Sequence, residues 1–134
     1  MNAIADTGLL VALGRQNDQY HDWAAQIAEQ IRWPVLTCEA VLAETAFHLE
    51  SSEYVLGMLK DKIVRLAFDC TSHLDHLYDL ATRYADRHPD LADLCLIRMS
   101  ELYPRHTVIT VDHDFRVYRR NKREAIPLLS PPRK

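Results

Sequence analysis

Glycine is scarce in this chain, with three residues in 134, and no Gly/Ser/Pro-rich stretch or internal repeat interrupts it. Long flexible loops, linkers and repeat arrays are therefore excluded, and residues 1–134 read as one domain. Cysteine is equally sparse. Cys38, Cys70 and Cys95 are odd in number, far apart along the chain and set among apolar neighbours. No disulfide framework or C-x-x-C metal site is legible in them, and they read as buried free thiols. Long apolar runs are missing too: none approaches the roughly 18 residues of a membrane span, and MNAIADTGLL shows no basic leader before a cleavable apolar stretch. A cytoplasmic protein with no membrane contact is expected.

What is present is the material of a packed core. Apolar residues make up 48% and charged residues 26%, a balance that excludes disordered and fibrous classes at this length. The net charge of -3 conceals a division: residues 1–114 carry 9 Lys/Arg against 18 Asp/Glu, whereas residues 115–134 carry 7 against 1. An acidic body with a basic C-terminal segment suits a protein whose carboxylates bind metal while its arginines hold a polyanion. A merely solubilising tail has the same composition.

Short β-like runs alternate with helical ones. Ala3–Ala5 is a strand that leads into Asp6, a short helix through Leu9, Leu10 and Leu13 stops at Gly14, and His21–Ile31 places Trp23, Ile27 and Ile31 at helical spacing. Trp33–Leu36 is a second strand, after which Thr37 is expected to cap a helix through Val41, Leu42, Phe47 and Leu49. A helix over about Glu53–Lys60 precedes a third strand, Ile63–Phe68. Ser72 is then expected to cap a helix with Leu74, Leu77, Tyr78, Ala81 and Tyr84 on one face. Beyond Pro89 a helix runs from about Leu91 to Leu102, Thr107–Val111 is a fourth strand and Ile126–Leu129 a candidate fifth. Strands separated by helices imply an α/β fold, a parallel sheet of about four to five strands flanked by helices on both faces. Ligands of such sheets bind beyond the carboxyl ends of the strands.

Four acids stand out against that frame. Asp6 follows the first strand and Asp112 the fourth, so both project into the crevice of a parallel sheet. Glu44 has Val41 and Phe47 three positions away, and Asp93 has Leu96 and Ile97 three and four positions on, which sets each on or beside an apolar stripe. Taken singly, each has a plain structural role: Asp6 a helix cap, Glu44 a solvated helix residue, Asp93 a helix N-terminus stabiliser and Asp112 a turn residue. Taken together, carboxylates sharing one pocket repel one another, and no lysine or arginine lies within a helical turn of Asp6 or Glu44. A divalent cation is the economical partner, and oxygen-only ligands suit Mg²⁺ or Mn²⁺.

At these positions the chain resembles the PIN domain nucleases, in particular the VapC-like toxins of bacterial toxin–antitoxin pairs. The resemblance rests on Asp6-Thr7-Gly8, on Glu44 in TCEAVLAE, on Asp93 in LADLCLI and on the T-x-D-x-D-F segment Thr110 to Phe115. It implies a metal-dependent ribonuclease in which Asp6, Glu44, Asp93 and Asp112 hold one or two Mg²⁺ or Mn²⁺ ions and assist catalysis. Thr7 and Thr110 match supporting hydroxyls, and Asp114 and Asp90 are further candidate ligands. The implied partners are an RNA substrate, a cognate antitoxin and a second copy in a homodimer. Two other readings compete. A non-catalytic PIN-fold module could use the same site to bind RNA or a partner, and a receiver-type phosphorylation domain also has an acidic pocket at its strand ends. The receiver pattern expects paired acids after the first strand and a late lysine, where this chain has Asp6 alone and Asp112.

Arg116, Arg119, Arg120, Lys122 and Arg123 follow the last acidic motif directly and are candidate RNA-backbone contacts. Tyr118 among them is either a stacking platform or a structural anchor. His73 and His76 lack zinc-site spacing and read as a solvated face, and His113 between two acids is a candidate substrate contact. Leu9, Leu10, Leu13, Trp23 and Ile27 read as core. The resemblance also makes this region a candidate dimer or antitoxin contact if it is exposed.

Overall fold

The computed structural model describes residues 1–133. Its strands, in chain order, are β1 (Ala3–Ala5), β2 (Val35–Thr37), β3 (Val64–Leu66), β4 (Thr107–Ile109), β5 (Arg119–Arg120), β6 (Glu124–Ala125) and β7 (Leu128–Leu129). The helices are α1 (Thr7–Gly14), α2 (His21–Ala28), α3 (Glu39–Leu49), α4 (Ser52–Lys60), α5 (Leu74–Arg83) and α6 (Leu91–Leu102).

Five strands form one sheet in the order β3-β2-β1-β4-β7, and each neighbouring pair is parallel. Ile4 of β1 stands opposite Leu36 on one side and Val108 on the other. The central strands read Ala-Ile-Ala and Val-Leu-Thr, buried at every position, as a strand covered on both faces requires. From β1 the chain moves to β2 and β3 in one direction, then returns to place β4 on the other side of β1. Right-handed crossovers therefore put α1 to α4 on one face and α5 with α6 on the other. Within those groups α1 meets α2 and α3, α3 meets α4, and α5 meets α6. The order reverses between β1 and β4, so the carboxyl ends of these two strands flank a crevice.

Ile4, Leu9, Leu10, Leu96, Ile97 and Phe115 are fully buried, and each such side chain contributes about 1.5–3 kcal/mol relative to exposure. Leu9, Leu10 and Ile27 thus belong to the core, with the partly buried Leu13 and Trp23 packed against it. Among the described residues no helix is long and apolar enough to cross a membrane.

The structure corrects several local expectations. Thr37 does not cap α3: its hydroxyl donates to the Ala5 carbonyl across the sheet at 2.9 Å, and Cys38 takes the N-cap position. Ser72 does not cap α5 either, because its hydroxyl turns back to Asp69 and Cys70–His73 forms a separate 3-10 turn. Phe47 is 79% exposed, since the buried stripe of α3 runs through Val41, Leu42 and Thr45. On α5 the buried positions are Leu77 and Leu80, while Leu74 and Tyr78 face outward. The basic segment contains an antiparallel hairpin, β5 with β6, that no sequence signal announced.

Candidate active site

The site begins at the end of β1. The Asp6 amide still donates to Ile109 of β4 at 3.0 Å, so its Cα is fixed by the sheet while its side chain turns into the crevice. There it serves as N-cap of α1, accepting from the Thr7 amide at 2.7 Å and from the Thr110 hydroxyl at 2.6 Å. The Thr110 hydroxyl also accepts the Asp112 amide at 3.1 Å, which links the ends of β1 and β4. Gly8 permits the close approach. A Cβ there would stand 2.3 Å from Val111 Cγ2, far inside van der Waals contact.

Two helices complete the cleft. The hydroxyl of Thr7 donates to Glu44 of α3 at 3.0 Å. At the start of α6, Asp90 accepts the Asp93 amide at 2.8 Å and Asp93 accepts the Asp90 amide at 3.2 Å, a reciprocal capping box. Asp6, Glu44, Asp90, Asp93 and Asp112 then line one cleft of about 400 Å³ together with Thr7, Arg15, Asp18, Tyr20 and His48.

The electrostatics are those of crowded like charges. Burial pushes the Asp6 carboxyl above its ordinary range, with Asp90 and Asp112 adding to it, against the opposing hydrogen bonds from Thr110 and Thr7. Burial likewise raises Glu44, Thr7 opposing and Asp90 and Asp6 reinforcing. Asp93 is pushed up to about 7, first by burial and then by Asp90. No ion pair offsets this: Arg15 lines the cleft but donates to the His48 carbonyl, and the ion pairs among the described residues are Arg98–Glu101 and Arg120–Glu124.

Among the described residues no three side chains converge as a preformed metal cage. Each acid is instead oriented toward a neighbouring hydroxyl or amide, Asp112 toward the Asp114 amide. A carboxylate has about four acceptor positions, and Asp6 uses two. Mg²⁺ keeps several of its waters and needs only one or two carboxylates directly, so an oxygen-rich cleft whose acids form no ion pair among the described residues fits a hard divalent ion.

Not every candidate reaches this cleft. Asp112 caps the 3-10 turn His113–Val117 by accepting the Asp114 amide at 2.9 Å. The Asp114 carboxylate instead lines a neighbouring cleft with Trp23 and His113. Tyr118 is buried edge-on against Phe115 and Tyr84, so it anchors the turn, and it is no platform for a base. Arg120 is corrected outright: it is buried, donating to the carbonyls of Ser100 at 2.8 Å and Pro104 at 3.1 Å and to Glu124 at 2.7 Å. Arg119 donates to the Arg116 and Tyr118 carbonyls, while Arg116, Lys122 and Arg123 are exposed. His73 stacks on Phe68 and accepts from Arg98, and His76 is exposed.

Sequence reasoning missed His48, Arg15 and Asp18 as cleft residues. His48 lies one turn beyond Glu44, a spacing that shares a helix face, whereas Arg15 and Asp18 sit in the turn after α1 and carried no periodic signal.

The PIN domain family model matches residues 3–121, a span that includes β1, the whole crevice and β5. The fold is similar to the crystal structure of VapC20 from Mycobacterium tuberculosis, described as a Sarcin-Ricin loop cleaving toxin. The TM-score is 0.74, with 85% of this chain and 92% of that chain covered at 18% identity. No curated protein matches the chain. With that family model matching residues 3–121, most of its length and all of its crevice, the chain belongs to the PIN domain family.

Proposed function

We propose that this chain is one PIN-like domain that hydrolyses RNA phosphodiester bonds with Mg²⁺ or Mn²⁺ held by Asp6, Glu44, Asp93 and Asp112. We infer further that it acts in the cytoplasm as a VapC-like toxin, a homodimer neutralised by a cognate antitoxin. One observation carries the reading: six acids, Asp18 among them, share a cleft at the switch point of the sheet, and none forms an ion pair among the described residues. The likeness of fold to an RNA-cleaving toxin supports RNA as the polymer.

A bound divalent cation supplies charge compensation for the phosphate and a water of lowered pKa. The chain's own groups position the rest. Thr110 and the Thr7 amide fix both oxygens of Asp6, and the Thr7 hydroxyl turns Glu44 inward. Glu44 and Asp93 face the cleft as acceptors that orient an attacking water. Asp90 fixes the first turn of α6 and so the placement of Asp93. The exposed Arg116, a few residues past Asp112, is suited to a backbone phosphate.

The antitoxin surface that best serves this reading is the outer side of α3 and α4, where Phe47, Tyr54 and Leu56 are exposed. His48, next to Phe47, lines the cleft, so a protein seated there reaches the acids. A non-catalytic binding module is the second reading, favoured by the engagement of Asp90 and Asp93 in their capping box.

The deciding test uses protein freed of any bound partner, with structured RNA in Mg²⁺ or Mn²⁺. Cleavage lost with EDTA and with Asp6→Asn supports the nuclease. RNA retained on the protein without cleavage in either metal overturns it in favour of the binding module.

A further inference from the structure

Three cysteines that are far apart in sequence meet in the fold. Cys38 is the N-cap of α3, Cys95 lies in α6, and Cys70 opens the 3-10 turn before α5. Cys95 is the shared neighbour: its Sγ is 3.5 Å from that of Cys70, and Cys38 lies close enough to act on its thiol electrostatically. Their exposures differ. Cys38 and Cys95 are 1% and 0% exposed, whereas Cys70 is only half-buried. Packing as small apolar side chains accounts for the first two. It does not account as fully for Cys70, a half-buried residue whose thiol touches a second thiol.

We propose that Cys70 and Cys95 form an oxidation site that a peroxide converts to an intramolecular disulfide. Cys70 is the point of entry, because it alone of the three is reachable from solvent. Its sulfur attacks the peroxide, the O–O bond breaks, and Cys70 becomes a sulfenic acid while one oxygen departs as water. The Cys95 sulfur then attacks the Cys70 sulfur. The S–S bond forms, the S–O bond breaks, and the departing hydroxide takes the Cys95 proton as the second water. Two thiols lose two electrons and two protons in all, and one peroxide becomes two waters.

A disulfide needs Sγ atoms about 2.05 Å apart, and the two sulfurs already stand in contact at 3.5 Å with Cys70 half-buried. Burial shields Cys95 from direct over-oxidation, which makes the cross-link the favoured product. The bond would tie the turn before α5 to α6 two residues beyond Asp93. It closes a loop of about 25 residues, which restricts the unfolded chain and raises Tm.

The test treats the reduced full chain with a small excess of hydrogen peroxide, blocks remaining thiols with an alkylating reagent, and maps the non-reduced peptides. The expected result is a Cys70–Cys95 linked pair, an intact mass lower by about 2 Da before alkylation, and Cys38 as the thiol left to block. Cys70→Ser should abolish the cross-link, and Cys95→Ala should leave a sulfenic acid on Cys70 that dimedone traps. If Cys95→Ala fails to fold, the wild-type map and Cys70→Ser still decide. Three blockable thiols after peroxide, oxygen added at Cys70 without a link, a link between two chains, or a Cys38–Cys95 link formed in Cys70→Ser would each overturn the proposal.

Discussion

The acidic cleft and the basic hairpin are both dense clusters of one charge, yet the fold treats them in opposite ways. In the cleft, Asp6, Glu44 and Asp93 find only hydroxyls and amides as partners and are left above their ordinary carboxylate range by burial and then by neighbouring acids, Asp90 foremost. In the hairpin, Arg120 is consumed by structure, its guanidinium fork shared among two carbonyls at the end of α6 and the Glu124 carboxylate. The Asn121 amide is held by Glu101 in the same way. Helix α6 separates the two regions, with Asp90 and Asp93 at its first turn and Ser100 and Pro104 at or beyond its last, about 18 Å along its axis. The lesson is that a count of charges along a chain locates function poorly, and the partners of each charge locate it well.

The sharpest way to break this contrast is to neutralise one member of each region. Asp6→Asn removes a repelling carboxylate that the fold does not need for charge balance. The expected outcome is a loss of RNA cleavage of about 100-fold or more with Tm unchanged or raised, checked by cleavage assay beside thermal melting. Arg120→Ala should do the reverse. It leaves two carbonyls and Glu124 without their donor, a cost of about 2–4 kcal/mol, while the protein that remains folded keeps its cleavage rate. Chemical denaturation and a cleavage assay well below Tm measure the two effects separately. If Arg120→Ala instead spared stability and abolished activity, the hairpin would have to be counted with the site.

How much of this was legible in the sequence follows the same line. Strands and acids that obey topology could be read: Ala3–Ala5 followed by Asp6, and the β-branched run at Thr107 followed by Asp112, need only a parallel sheet to meet. Helix α6 could be read closely, because Pro89 precedes it and Pro104 follows it, although in the sequence its cap, Asp90, reads only as a candidate ligand. What failed was anything decided by a distant partner. Thr37 looked like a cap until the Ala5 carbonyl across the sheet claimed its hydroxyl, and Phe47 looked inward until the stripe of α3 settled on Val41, Leu42 and Thr45. Proximity along the chain misled most in the basic segment. Arg120 lies eight positions after Asp112, but the hairpin carries it to the far end of α6.

Gly8 tests whether the cleft depends on backbone approach as well as on charge. Its missing side chain lets α1 lie against Val111, which fixes Thr7 relative to Thr110 and Asp112. Gly8→Ala puts a methyl 2.3 Å from Val111 Cγ2, and overpacking of this kind costs about 1–3 kcal/mol. The shift falls on Asp6, so activity should drop further than the loss of folded protein explains. Pairing Gly8→Ala with Val111→Ala, which removes the struck methyls, should restore part of both. No rescue would mean that Gly8 serves the helix for another reason.

The smallest expected effect is a pH slope that the hairpin should not share. Asp93 sits near 7 in the folded protein, against about 3.9 in an unfolded chain. A group raised in this way binds more protons folded than unfolded, so its stabilising contribution is complete below the unfolded value and is lost as pH rises toward 7. Asp6 and Glu44 are shifted in the same direction. In EDTA, therefore, Tm should fall between pH 5 and pH 8, and Asp93→Asn should flatten the fall. Mg²⁺ should flatten it too, because a cation offsets the repulsion that protons relieve at low pH. Arg120→Ala should shift the whole curve down and leave the slope as it was. Equal slopes for the wild type and Asp93→Asn in EDTA would show that burial and its acidic neighbours do not raise Asp93 in the folded chain, and the contrast between the two regions would lose its electrostatic basis.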